Sequence, residues 1–205
     1  MLYPETQFLL SASTGNVELI ATKNKTAIAT AIICHPHPLF GGTMNNKVVT
    51  TLARAFQNLN INTIRFNFRG VGKSEGKFDQ GVGETDDVIA IARWAKTHYL
   101  SDKLYLAGFS FGSYVAARAA TQLPVTHLLS IAPPVINFDF TALPPITCPW
   151  LIIQGEQDEI VSPEAVFDWV ETLNPKPTLI RMPKATHFFH GQLMALREMI
   201  EKNLR

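Results

Sequence analysis

Short apolar runs of two different periods alternate along almost all of this 205-residue chain, and that alternation restricts the fold more than any other feature. Runs at 7–12, 17–21, 27–34, 61–68, 103–109, 125–131, 150–154 and 178–182 read as strands. Between them, 45–58 sets Val48, Val49, Leu52, Ala53 and Phe56 on one helical face, and 85–97 does the same with Val88, Ile91, Ala92 and Ala95. Helices over 111–122 and 163–173 follow, and a last one carries Leu193, Leu196, Met199 and Ile200 inward. Thr43 is the expected N-cap of the first helix, and Asp86-Asp87 the expected N-terminal anions of the second. Ser162 followed by Pro163 opens the fourth. The first two strands read as a hairpin turned through Thr14-Gly15-Asn16. Such a series predicts an α/β fold, a mostly parallel eight-stranded sheet with helices on both faces.

Composition excludes several classes. One domain over 1–205 is expected, with 46% hydrophobic and 17% charged residues, too apolar for disorder. A net charge of +1 with scattered cations gives no footprint for nucleic acid and no field for steering acidic ligands. Cys34 and Cys148 stand in no metal or redox spacing and read as free thiols. The early run Phe8-Leu9-Leu10 is too short for a leader, and no stretch nears the ~18 apolar residues of a membrane span. A soluble cytoplasmic protein is expected, its oligomeric state open.

Open α/β sheets bind ligands beyond the carboxyl ends of their strands. The strand ending at Phe109 leads into Gly108-Phe109-Ser110-Phe111-Gly112, a strand–turn–helix setting that exposes the serine hydroxyl above the sheet. The strand ending near Gln154 leads to Asp158, and the strand ending at Met182 leads to His187. A serine hydroxyl needs a base to take its proton, imidazole is suited to that near pH 7, and a carboxylate on the far nitrogen fixes the tautomer. Ser110 is therefore the candidate nucleophile, His187 the base and Asp158 the orienting acid. Glu156 and Glu159 compete for the acid position, and His190, His98 and His127 for the base. Two backbone N–H groups are expected to hold the oxyanion: that of Phe111, and that of His37 in His35-Pro36-His37-Pro38, where the prolines have none to give.

These residues give the chain its resemblance to the α/β-hydrolase superfamily over nearly its whole length. It is most similar to the small lidless bacterial branch with a dienelactone-hydrolase-like layout. Gly108–Gly112 matches the elbow, His35-Pro36-His37-Pro38 stands where the family has its H-G-x-P loop, and Arg69-Gly70-Val71-Gly72-Lys73-Ser74 resembles its R-G-x-G-x-S turn. Pro36 departs from the family's glycine, and serine from the cysteine of dienelactone hydrolase itself. The resemblance implies a serine hydrolase acting on small carboxylic esters through an acyl-enzyme, without cofactor or metal. Thioester or amide cleavage stands next, then a catalytically silent scaffold used for binding. A metal at His35 and His37 is the remaining rival. Gly70–Ser74 is no phosphate loop, because the glycine required five residues before Gly72 is Asn67. The connection over 132–149 is too short for a cap domain, so an open site is expected.

Overall fold

Ala29–Cys34 (β3) buries every one of its six side chains, which requires sheet neighbours on both edges and helices on both faces. The computed structural model describes residues 4–12, 15–99, 101 and 103–204, and supplies that setting. The chain runs β1 (Glu5–Ala12), β2 (Gly15–Thr22), β3, α1 (Lys47–Asn58), β4 (Ile61–Phe66), α2 (Val82–His98), β5 (Leu104–Phe109) and α3 (Phe111–Ala120). It continues through β6 (His127–Ile131), β7 (Trp150–Gly155), α4 (Pro163–Glu171), β8 (Thr178–Met182) and α5 (Leu193–Asn203). The described strands form one eight-stranded sheet in the order β1-β2-β4-β3-β5-β6-β7-β8. β2 is antiparallel to both its neighbours, and every pair from β4 to β8 is parallel.

Two apolar layers flank the sheet. One is filled from α2, α3 and α4, the other from α1 and α5. The inward faces expected for the first two helices are all buried, whereas Met199 on α5 is exposed and only Leu196 and Ile200 are fully covered there. The register aligns the strand tops: Cys34 lies opposite Gly108, Phe109 opposite Ile131, and Gly155 opposite Met182. The loops after β3, β5, β7 and β8 therefore leave from one rim.

Three local readings are corrected. Asn46, not Thr43, caps α1: its Oδ1 accepts from Val48 N–H, while Thr43 Oγ1 serves Asn45 N–H in the preceding turn. α2 begins three residues earlier than its apolar face suggests, because Glu84 accepts the N–H groups of Gly81 and Asp79 and so anchors an extra turn. Asp87 then falls inside the helix, buried, and its carboxylate takes two hydrogen bonds from Arg69 at 2.9 and 2.8 Å. Thr14 of the hairpin turn lies outside the described residues, but β1 and β2 do pair antiparallel up to Ala12 and Gly15. Gly70–Ser74 is a turn, clasped by Glu18 of β2 through Asn67 Nδ2 and Lys73 N–H.

Candidate active site

Ser110 stands between β5 and α3 at φ 53° and ψ −123°, a conformation that costs an L-residue roughly 1–3 kcal/mol. Neighbouring groups hold it there. Its N–H donates to Ile131 O at 2.8 Å, and Ser113 returns both its N–H and its hydroxyl to Ser110 O. The glycines on either side are sterically required. A Cβ on Gly108 would lie 2.1 Å from Gly112 O, and one on Gly112 would lie 2.4 Å from Cys34 O. The turn thus brings strand, helix and the loop after β3 into backbone contact, and α3 points its N-terminus at the serine.

Asp158 and His187 meet beside this turn. His187 Nδ1 lies 2.8 Å from Asp158 Oδ2, and since a carboxylate can only accept, Nδ1 carries the proton and Nε2 keeps its lone pair. Both side chains are buried, 3% and 0% exposed. Burial raises the Asp158 pKa, but hydrogen bonds from His187 and from the N–H groups of Val161 and Ile160 outweigh it and leave the carboxyl below its ordinary range. His187 packs its ring on Phe109 at 5.0 Å between centroids, one residue from Ser110, and gives its backbone N–H to Glu159. Among the described residues no hydrogen bond joins Ser110 Oγ to His187. Such contacts are often long without substrate and tighten when it binds.

The loop after β3 covers the other side. A short turn at Pro38–Phe40 follows His37, whose Nδ1 accepts from Leu39 N–H and whose ring lies 5.0 Å from that of Phe111. The N–H groups of His37 and Phe111 find no acceptor among the described residues. His37, Phe40, Ser110, Phe111, Phe138 and Val161 border a cleft of about 280 Å³. Phe138 comes from the 132–149 connection, which has no helix or strand and walls the cleft from one side.

His35 anchors that loop. Its Nδ1–H donates to Pro36 O at 2.6 Å and its Nε2 accepts Phe68 N–H at 2.9 Å, so both nitrogens are committed and the ring has no lone pair for a metal. Burial pushes its pKa from 6.5 down to about 4. The folded state therefore resists a proton that the unfolded chain accepts. Stability from this group is complete above pH 6.5 and lost as pH falls toward 4, on the order of 3 kcal/mol in all. Urea midpoints measured between pH 7 and 4.5 should show this loss, and His35→Gln should flatten the slope by about one proton; an unchanged slope would refute it.

The rivals separate by position. His127 starts β6 at the opposite rim, His98 ends α2, and His190 is exposed in the turn before α5 rather than within the helix. Phe189 is buried in the core, while Phe188 lies edge-on to Phe109 and His187. Cys34 is buried, which raises its thiol pKa strongly. One contributor was not singled out from sequence. Gln154 Nε2 donates to Asp158 Oδ2 at 3.1 Å, and its signal was a lone polar residue closing the apolar run Trp150-Leu151-Ile152-Ile153.

Known proteins share this architecture. A profile of the alpha/beta hydrolase fold matches residues 37–144. An uncharacterized protein of Rickettsia prowazekii is 40% identical, the match covering 78% of this chain and 71% of that one. An alpha-beta serine hydrolase homologue from Coxiella burnetii superposes with a TM-score of 0.94 at 47% identity, covering 100% of both chains. An a/b serine hydrolase without lid from Xanthomonas campestris gives 0.93 at 46% identity, covering 100% of this chain and 96% of that one. The chain belongs to the α/β-hydrolase fold family, alongside these serine hydrolase homologues.

Proposed function

We propose that the chain is a serine hydrolase that cleaves small carboxylic esters through Ser110, His187 and Asp158. The observation that carries this reading is the buried Asp158–His187 pair, its imidazole ring packed on Phe109, the residue before the strained turn that presents Ser110. Ser110 Oγ attacks the ester carbonyl as His187 Nε2 takes its proton, and Asp158 steadies the imidazolium that forms. The oxyanion accepts from the N–H groups of Phe111 and His37, both without protein acceptors. The proton then passes to the departing alkoxide, leaving an acyl group on Ser110. Water, deprotonated by the same imidazole, completes hydrolysis and regenerates the serine. Thioesters and amides would use the same groups, but the weaker leaving group of an amide makes it the slower substrate.

The cleft favours short acyl groups. At about 280 Å³, bounded by Phe111 and Phe138 and open above, it offers no long apolar tunnel. Acetate and butyrate esters of p-nitrophenol should be turned over with at least about tenfold higher kcat/KM than the palmitate ester. Steady-state rates across that series check this, and a profile rising with chain length would overturn it. Trapping the acyl-enzyme by acid quench during turnover, with the acyl group mapped to the peptide holding Ser110, tests the covalent step. An unmodified peptide during a pre-steady-state burst would reject it.

A further inference from the structure

At the rim opposite the site, a cavity of about 420 Å³ opens between the starts of β3 and β5, the last turns of α2 and the loop after α3. Six-residue β5 separates it from Ser110 by about 20 Å at ~3.3 Å per residue. Two features set it apart from a packing gap. Its walls are apolar, from Ala92, Ala95, Leu104, Leu123 and Pro124. The charged residues described around it are Arg93, Lys96 and Lys103, all cations, and none of them makes an ion pair among the described residues.

We infer that this cavity is a second binding site, distinct from the Ser110 cleft, for an amphiphilic monocarboxylate of medium chain length. The apolar walls would take the alkyl tail, releasing water from both surfaces. The cations at the mouth would hold the carboxylate, which an apolar wall alone would repel. Length follows from volume. At the ~30 Å³ that each water occupies in the liquid, 420 Å³ corresponds to about 14 non-hydrogen atoms, which matches a ten-carbon acid seated within it. Thr30 and Leu104 are direct register partners, so a bound tail would lie against the bases of the two strands whose far ends carry His35 and Ser110.

The probe is decanoate, titrated below its micelle range into 15N-labelled protein, with 1-decanol as the uncharged control. Decanoate should give saturable amide shifts at Thr30, Lys96, Ser101 and Leu123, leaving Val161 and Phe111 unmoved. 1-Decanol should bind about tenfold more weakly or worse. Reversing two exposed cations, Lys96→Glu with Lys103→Glu, should weaken decanoate by at least about tenfold, a change of 1.4 kcal/mol. Leu123→Trp should abolish the shifts by filling the mouth; the charge reversals, at exposed positions, keep the test decisive if that variant misfolds. Absence of saturation, shifts centred on the Ser110 cleft, or equal affinity for acid and alcohol would each overturn the proposal. The readout is binding, so it is independent of whether Ser110 is a nucleophile.

Discussion

Ser110→Ala should lower kcat toward a short-chain ester by about 10⁴–10⁶-fold, and His187→Ala by a similar factor, with the double variant no slower than either. The reason is chemical. A base with no hydroxyl to activate does nothing, and a hydroxyl with no base is a poor nucleophile, so the second deletion has little left to remove. The fold should survive, because among the described residues the hydroxyl of Ser110 makes no hydrogen bond that holds the turn; the backbone contacts to Ile131 and Ser113 do that. Alanine tolerates φ 53° about as poorly as serine, so the melting temperature should shift by only a few degrees. Losses that multiply in the double variant would mean that the two side chains act separately. Residual activity of about 10³-fold over water would be consistent with two oxyanion donors still in place.

Gly108→Ala should be the most destabilising single-methyl change at the site, above about 4 kcal/mol or failing to fold. Its Cβ would lie 2.1 Å from Gly112 O, 2.2 Å from Gly112 C and 2.4 Å from Ser113 N, all backbone atoms that no rotamer change can move. Relief requires the first turn of α3 to back away from β5. That would disturb the N–H of Phe111 and the seat of Ser110 together, so activity should vanish even in any folded fraction. Chemical denaturation beside ester turnover checks both effects. A Gly108→Ala protein of near-native stability would show that the strand–helix approach is looser than these distances require.

Element order was legible in the sequence because each strand and each helical face buries its own apolar residues, a local property. The positions of Ser110, Asp158 and His187 were legible for a related reason: each follows a strand end, and parallel strands put their ends on one rim. What pattern reasoning could not supply were individual side-chain partnerships, which leave no apolar period whether the partners are near or far in the chain. The extra turn of α2 depends on Glu84 turning back to Gly81, and Asp87, expected as an N-terminal anion, pairs instead with Arg69, 18 residues away. Gln154 behind Asp158 and Phe138 over the cleft belong to the same class. Met199 was placed inward by spacing alone, but α5 packs only a narrow stripe on α1 and leaves that position exposed.

Covalent labelling locates the nucleophile most directly. A fluorophosphonate, which phosphonylates activated serines, should modify one residue, with the adduct mapped by peptide mass spectrometry to Ser110. Labelling should fall by at least about 10³-fold in His187→Ala if the imidazole activates the hydroxyl as proposed. An adduct on another residue, or labelling of Ser110 undiminished without His187, would contradict the assignment.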